Sequence, residues 1–404
     1  MIKIGIVRET KSPVDNRVAL TPDQIVSLQD KYTNVKFFVQ KSDVRAYKDE
    51  HYSSLGIPVV DSIDNCDVIF GIKEADINTL IPGKHYIFFG HIAKEQPYNR
   101  PLIQKMVKLG ITFTDYEYLV DDEGQRLCAF GWWAGVVGAY NTFRAYGLRS
   151  GKFELEKPGM DFTLDKLISN LKDVSHLCNT SVIITGNGRV SHGAQYVMQK
   201  IGGMELEPDL FLKKENTDNL VYVVLKTSDL VKHKDGLKYD SHDFRLNGQN
   251  YLSRFSEYAY SAEILLTCHY WGPDQPVYLD EALLNDKNLS IKIVGDVTCD
   301  IMGSILSTVR SSTHSEPFYD YNPYRMEEEP PFSGENNITV MAVDTCPNAL
   351  ALDTSKYFGS ALSEHVLPLI IEEKWDDPIL QRATILSKGS LTDRYLYLSK
   401  YAEI

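Results

Sequence analysis

The sequence predicts an α/β protein built from two doubly wound, Rossmann-like parallel-sheet domains. Three observations carry this. Residues 1 to about 125 alternate short β-branched runs with stretches of helical period, and a second series of apolar runs begins at SVIIT, followed at once by a Gly186-Asn187-Gly188 turn. The third is length, since 404 residues suffice for roughly two or three domains, each with its own core. A content of 43% hydrophobic and 24% charged residues lies in the ordinary globular range, which sets aside disorder and fibrous repeats.

In order, the first series runs IKIGIV, the helical PDQIVSLQDKY, VKFFVQ, VIFGI, YIFFG, the helical PLIQKMVKLG and ITFT. Such alternation implies parallel strands joined by crossover helices. The segment AFGWWAGVVGAYNTFRAYG has helical length, with Ala134, Gly135, Gly138 and Ala139 clustered at i, i+3 and i+4 spacing. Each interior glycine costs about 1 kcal/mol against alanine, so close backbone packing at a domain junction is one explanation and a plainly buried helix the other. After the charged KFELEKPGMD the second series runs SVIIT, VYVVL, AEILLTC, IKIVGDV and ITVMAVD, with a polar insertion near 232–256. The acidic, proline- and tyrosine-rich FYDYNPYRMEEEPPF reads as a long surface loop. The tail from about 347, including KYFGSALSEHVLPLIIEE, reads as helices that pack back on the first domain.

Four strands of the first domain deliver titratable side chains at their ends. DVIFG leads to Lys73 and Glu74, HYIFFG to His91, KIGIV to Arg8 and Glu9, and GITFT to Asp115 and Glu117. In an open α/β sheet the carboxyl ends of the strands line the ligand crevice, and a lysine beside a histidine there would form an acid–base pair. The alternative is that the strands simply run out into solvent, where Lys and Glu are the default residues.

In the second domain the strand–GNG–helix junction points to a dinucleotide. Glycines permit a tight turn that brings backbone N–H groups and a helix N-terminus against a pyrophosphate; a glycine turn without ligand is the alternative. Ser191 stands where the third glycine of the fingerprint belongs, which predicts a looser or shifted helix–strand contact. The acidic residue expected about 20 positions on is Glu205, Glu207 or Asp209, and with Lys213 and Lys214 close behind both NAD and NADP stay open. His192 falls in the first turn of the next helix, a surface or capping position, and His176, His233, His242 and His365 lie in polar or helical contexts. No histidine pair has metal-ligand spacing and the six cysteines include no CxxC, so no metal is expected and the thiols are read as reduced.

A formal charge of −13 disfavours duplex nucleic acid and anionic membranes, both of which need a cationic face. MIKIGIVRET opens directly on a strand pattern without a signal-peptide layout, and LCAFGWWAGVVGAY is too short and glycine-rich for the roughly 20 residues of a membrane span. A cytoplasmic enzyme with small-molecule partners is the expectation.

Taken together, RETKSPVDNRVALTP, GIKEAD, FFGHIAKEQ, TDYEYLVDDEGQRLCAFGWWAG, GNGRVSHG, GDVTCDIMGSI and AVDTCPNAL resemble the alanine dehydrogenase/saccharopine dehydrogenase superfamily over nearly the whole chain. Within it, YEYLVDDEGQR followed by AFGWWAG is similar to the lysine-forming saccharopine dehydrogenases and the related lysine–ketoglutarate reductase domains; alanine dehydrogenases usually lack that block. The resemblance implies a cofactor and substrate cleft between two domains, a substrate domain of residues 1–136 completed by 347–404 and a dinucleotide-binding domain of residues 137–346. It implies reversible cleavage of saccharopine to L-lysine and 2-oxoglutarate with a nicotinamide cofactor, NAD being the first choice and NADP open. Carried over position by position, Lys73 and His91 look like the acid–base pair. Arg17 and Arg126 match arginines that hold the oxoacid carboxylates, and Glu74 and Glu117 match acidic residues facing the lysine end. On the cofactor side, Gly186, Gly188 and Arg189 would approach the pyrophosphate, Cys268, His269 and Tyr270 the adenosine half, and Asp300, Thr345, Cys346 and Pro347 the nicotinamide. Departures are a shorter glycine loop than in the fungal enzymes, the extra 232–256 insertion, and the lack of a clear ribose-binding aspartate. The alternatives are an alanine dehydrogenase or another opine-type dehydrogenase and, from a different class, a non-catalytic nicotinamide-binding protein.

Overall fold

The computed structural model describes residues 1–174, 177–214 and 218–404, so His176 lies outside the described residues. The chain divides into two compact units, Met1–Phe130 with Ala351–Ile404, and Gly131–Leu350. Each is an α/β unit around an eight-stranded, mostly parallel sheet.

The first unit contains β1 (Ile2–Ile6), β2 (Val35–Gln40), β3 (Val59–Val60), β4 (Val68–Phe70), β5 (His85–Phe88) and β6 (Thr112–Asp115). They pair in parallel in the spatial order β3-β2-β1-β4-β5-β6. The winding direction reverses between β1 and β4, and it is outside the carboxyl ends of such a pair that a doubly wound sheet leaves its crevice. Ile69, Phe70, Ile87 and Phe88 are wholly buried, the near-continuous apolar pattern of strands covered on both faces. The helix Pro22–Lys31 starts at a capping box in which the Gln24 side chain accepts from the Thr21 N–H at 2.9 Å, with proline at its first position.

The tail supplies more than helices to this unit. Beyond the helix Ala351–His365, residues Thr384–Ser387 form a strand antiparallel to β6, and Ser390–Leu391 pairs with it in turn. Four residues are too few to register a period of two against the helical pattern around them. Burial of Ile385 and Leu386 and pairing with β6 decide the conformation here, and neither is local information.

The second unit contains β7 (Ser181–Thr185), β8 (Met204–Glu205), β9 (Val221–Leu225), β10 (Val231–His233), β11 (Tyr251–Ser253), β12 (Ile264–Thr267), β13 (Ile293–Asp296), β14 (Phe318–Asn322), β15 (Glu327–Glu329) and β16 (Ile338–Met341). Its large sheet has the order β15-β14-β16-β13-β12-β7-β9-β8, while β10 and β11 form a separate antiparallel pair. The polar insertion near 232–256 is thus folded structure: Phe244, Tyr251 and Phe255 enter the core beside β9.

FYDYNPYRMEEEPPF is not a surface loop. It forms the hairpin β14–β15, with β14 antiparallel to β16 and Phe318, Tyr319 and Tyr321 buried. Its polar content misleads because its buried acid is satisfied inside the fold. Asp320 is fully buried and accepts from Thr339 Oγ1 at 2.7 Å and the Ser333 N–H at 3.0 Å, with Arg149 3.5 Å away. The chain reverses where the Asn322 side chain accepts from the N–H groups of Tyr324 and Arg325 at 3.0 and 3.1 Å.

The glycines of AFGWWAGVVGAYNTFRAYG serve close packing inside this unit. The helix Gly131–Ser150 lies against the helix Arg189–Ile201. A Cβ built on Gly135 would stand 1.8 Å from the Val190 carbonyl oxygen, and one on Gly193 would stand 1.9 Å from that of Trp132. The contact is reciprocal, backbone to backbone, and cannot be relieved by a side-chain rotation. Gly135→Ala gains about 1 kcal/mol of helix propensity and is nonetheless expected to destabilise the second unit by about 3 kcal/mol or more, since overpacking alone costs about 1–3 kcal/mol where neighbours can yield. Urea unfolding compared with wild type checks this; an unchanged midpoint would mean that the helices separate freely.

Candidate functional site

In the first unit the carboxyl ends of β1, β4, β5 and β6 lie side by side, so Glu9, the Lys73–Glu74 turn, His91 and the Asp115–Glu117 segment are neighbours by topology. Glu9 ties the first two strands together. Its Oε1 accepts from the Ile72 N–H at 2.6 Å and its Oε2 from the Lys73 N–H at 3.0 Å, fixing the turn that presents Lys73. Burial pushes the Glu9 carboxyl up to about 8, with nearby Asp15 adding to the rise against the two N–H donors and Arg17.

Glu74, next along that turn, is a bridge. Its Oε1 lies 3.0 Å from His91 Nδ1 and its Oε2 accepts from Lys11 Nζ at 2.5 Å. Burial works to raise its pKa, and the bonds from His91 and Lys11 overcome this and pull it down to about 2. A carboxylate at Nδ1 makes that nitrogen the donor, leaving Nε2 to exchange protons with a ligand. His91 itself sits at φ 50, in the left-handed region where a non-glycine residue is uncommon. The residue before it is held through both its backbone groups: the Gly90 N–H donates to Asp115 Oδ2 at 3.1 Å and the Gly90 carbonyl accepts from Asn99 Nδ2 at 3.0 Å. Burial raises the Asp115 carboxyl to about 6.

Glu117 is only 5% exposed and is gripped by two cations, Arg126 and, at 2.8 Å, Lys94. Burial opposes its ionisation, and these cations hold its pKa below the ordinary value. The resemblance places Arg126 and Glu117 at opposite ends of a substrate; the structure joins them to each other. Arg17 is buried, its Nε and Nη2 donating to Asp15 at 2.9 and 2.5 Å, so Nη1 is the part of the fork that Asp15 does not take. Its guanidinium lies 4.2 Å from the Phe130 ring centre, and Phe130 stacks on Phe358 at 4.6 Å. Asp15, Lys11 and Lys94 lie outside the residues that the resemblance picks out. The signal was present, since RETK and HIAK each place a lysine three residues from a strand-end group.

In the second unit Gly186, Cys268–Tyr270, Asp300 and Thr345–Pro347 follow the carboxyl ends of β7, β12, β13 and β16, along one edge of the sheet. Gly186 requires glycine: φ is +87°, and a Cβ would stand 2.8 Å from the Cys268 carbonyl oxygen. At Gly188, the N-cap of the Arg189–Ile201 helix, a Cβ would meet nothing within 4 Å, so the residue is not set by packing inside the protein. Ser191 is buried and accepts from Gln195 at 3.0 Å, and the close-packing duty of a third glycine passes to Gly193. His269 turns inward: Nδ1 is 2.6 Å from Thr185 Oγ1, Nε2 is 2.9 Å from Ser304 Oγ, and burial lowers its pKa to about 4. Tyr270 is 80% exposed, while Cys268, Cys346 and Pro347 are buried. The loop bearing Asp300 hangs on Asp296 at the end of β13. Asp296 is wholly buried and accepts from the hydroxyls of Thr267, Thr298 and Thr308 at 2.5, 2.6 and 2.6 Å.

The sheet order relocates the acidic position expected after the glycine turn. β8, which ends in Glu205, is the edge strand and pairs with β9, not with β7. Glu205, Glu207 and Asp209 are therefore one strand further out than the fingerprint requires, roughly 5 Å of extra strand spacing. Beside β7 runs β9, in register from Ser181–Val221 to Thr185–Leu225, and its carboxyl end continues into exposed Lys226. The Gly186 N–H donates to the Leu225 carbonyl at 2.8 Å, which places Lys226 next to the turn.

Glu9 supplies a test of this geometry. A carboxyl whose pKa rises from 4.5 to about 8 on folding stays protonated in the fold while ionising in the unfolded chain, so its contribution is complete below about pH 4.5 and is lost as pH rises towards 8. Glu9→Gln cannot ionise. The melting temperature of Glu9→Gln relative to wild type is therefore expected to climb from pH 5 to pH 8, and a constant difference across that range would contradict the assignment.

Residues 5–137 match the N-terminal domain of the alanine dehydrogenase/PNT family. The chain is 30% identical to the alpha-aminoadipic semialdehyde synthase of Arabidopsis thaliana over 98% of its own length and 41% of that protein, so it spans less than half of this relative. It is 24% identical to the NAD(+), L-lysine-forming saccharopine dehydrogenase of Yarrowia lipolytica, covering 95% of this chain and 96% of that one. In fold it is similar to an L-alanine dehydrogenase, with a TM-score of 0.65 at 14% identity over 99% of both chains. The chain is thus similar to the alanine dehydrogenase/PNT family over its N-terminal third and, over nearly its whole length, to alpha-aminoadipic semialdehyde synthases and lysine-forming saccharopine dehydrogenases.

Proposed function

We propose that the chain is a nicotinamide-dependent oxidoreductase acting on the CH–NH bond of saccharopine, reversibly giving L-lysine and 2-oxoglutarate. The observation that carries the reading is the Glu74 bridge: one buried carboxylate orients His91 through Nδ1 on the same turn that presents Lys73, at the reversal point of the sheet. Such a reaction needs several proton transfers, at the secondary amine, at the attacking water and at the departing lysine amine. Lys73 and His91 Nε2 are the groups we assign to them. Glu74 keeps His91 in one tautomer, and Lys11 keeps Glu74 ionised. Arg17 Nη1 and Arg126 are assigned to the carboxylates of the oxoacid end, Arg126 exchanging Glu117 for substrate.

The glycine turn fits a dinucleotide. Gly186 permits the sharp turn, and Gly188 leaves the N-terminus of a 13-residue helix open to an anion. The cofactor, NAD in the expectation above, supplies a nicotinamide ring that takes up the hydride. Lys226, where the fingerprint has an acid, removes the group that would repel a 2′-phosphate.

Following NADH or NADPH absorbance with saccharopine, with lysine plus 2-oxoglutarate, and with alanine tests the reading. Efficient alanine oxidation without saccharopine turnover would replace it by the alanine dehydrogenase reading. Lys73→Met and His91→Gln are each expected to lower kcat by about 10²-fold or more, a usual scale for acid–base groups, without changing cofactor affinity. Near-normal turnover in either folded variant would return these residues to plain strand ends.

Calorimetric titration checks the cofactor site separately. Gly188→Val is expected to weaken NADH and NADPH alike, whereas Lys226→Glu is expected to weaken NADPH by about tenfold or more, equivalent to about 1.4 kcal/mol, and to leave NADH nearly unchanged. Equal effects of Lys226→Glu on both cofactors would place the adenosine ribose elsewhere.

A further inference from the structure

The first unit holds a cavity at the end of its sheet opposite the Glu9–His91 edge. His85 and Thr112 open β5 and β6, whose far ends lead to His91 and Asp115, and both line a space of about 780 Å³. That volume is in the range of roughly 300–1,000 Å³ typical of small-molecule sites.

The cavity is lined by polar groups, among them His85, Thr112, Thr384 and Thr392, with buried Thr114 behind them. His85 Nε2 lies 2.8 Å from Thr114 Oγ1, which lies 2.9 Å from Thr384 Oγ1 on the tail strand. Burial lowers the His85 pKa to about 4, so the ring is neutral near pH 7 and offers hydrogen bonding without charge. Trp375 forms a wall, 41% exposed, with its ring centre 5.2 Å from that of His85. The cations stand at the rim. Arg382 is committed to Asp122 at 3.1 Å and to the Val120 carbonyl at 2.8 Å. Lys388 and Arg394 are exposed and have no ion-pair partner among the described residues. Lys388 is also held in place: it lies in a tight turn with φ 48, its N–H donates to Thr112 Oγ1 at 3.0 Å, and the following Gly389 leaves no room for a Cβ beside the Val107 carbonyl.

A partly exposed indole and two cations on the walls of one cavity, together with hydroxyls and a neutral imidazole, suit one kind of ligand: a flat ring carrying an anionic group. We propose that this cavity binds an anionic, ring-bearing small molecule of nucleotide size, distinct from the substrate and cofactor of the oxidoreductase reading. The anion would lie between Lys388 and Arg394, and the ring on Trp375. A nucleoside monophosphate and an aromatic carboxylate share this chemistry.

Calorimetric titration of the whole chain with AMP, indole-3-acetate, adenosine and inorganic phosphate separates the sources. At least one ring-bearing anion is expected to bind with a Kd below about 1 mM, with adenosine and phosphate at least about tenfold weaker. Lys388→Glu/Arg394→Glu and Trp375→Ala should each weaken that binding about tenfold or more, with melting temperature and NADH affinity unchanged as controls. Binding that survives both variants, that disappears in Gly188→Val, or that phosphate alone reproduces would overturn the proposal. So would saturation by neither ring-bearing anion. None of these readouts depends on saccharopine turnover, so the cavity and the oxidoreductase assignment fail separately.

Discussion

Carboxyl groups drawn out of solvent at the ends of parallel strands must be met by N–H groups or cations, and the first unit is organised around that demand. Glu9 takes two backbone N–H groups, Asp15 the Arg17 fork, Glu74 the His91 ring and Lys11, Asp115 the N–H groups of Gly90 and Glu117, and Glu117 the cations of Lys94 and Arg126. Each partner belongs to a different segment from the acid or to the next turn, so satisfying these groups also fixes the segments. An unpaired ion here would cost several kcal/mol. The arrangement leaves His91 Nε2 and Arg17 Nη1 as groups whose neighbouring nitrogens are already engaged, which is how a site is preorganised before a ligand arrives.

Much of this edge was legible in the sequence, and the reason is local. An apolar run ending in glycine and a titratable residue fixes strand, exit and side chain together, so Lys73, Glu74, His91 and Glu9 fell where DVIFG, HYIFFG and KIGIV placed them. Pairings between segments were not legible. Arg126 and Glu117 looked like independent ligands for two ends of a substrate because nine residues of sequence say nothing about a shared ion pair. The hairpin at Phe318–Glu329 was hidden by its polar letters, although Asp320 is buried and fully met by Thr339, Ser333 and Arg149. The tail strand depends on β6, more than 260 residues away.

The second unit shows the same division. The GNG turn and its helix were visible, whereas the neighbour of β7 was not, because strand order is a property of the sheet and not of any one run. A count of about 20 residues led to Glu205 and passed over Lys226. Likewise a histidine after AEILLTC suggests a ligand contact, and only the bonds to Thr185 and Ser304 reveal that His269 braces β12 against β7 and the Ser304 loop.

The outermost strands of both sheets share a property of their own. β3, β8 and Ser390–Leu391 are two residues long, and β15 is three consecutive glutamates, Glu327 to Glu329. A row of unpaired N–H and C=O groups invites another chain to add a strand, and short or charged margins withhold that invitation. The tail therefore does more than complete a core. Pairing of Thr384–Ser387 with β6 covers backbone that would otherwise stand open beside the buried Phe113, and a chain shorn of that pairing would trade a closed margin for a template on which identical molecules could stack.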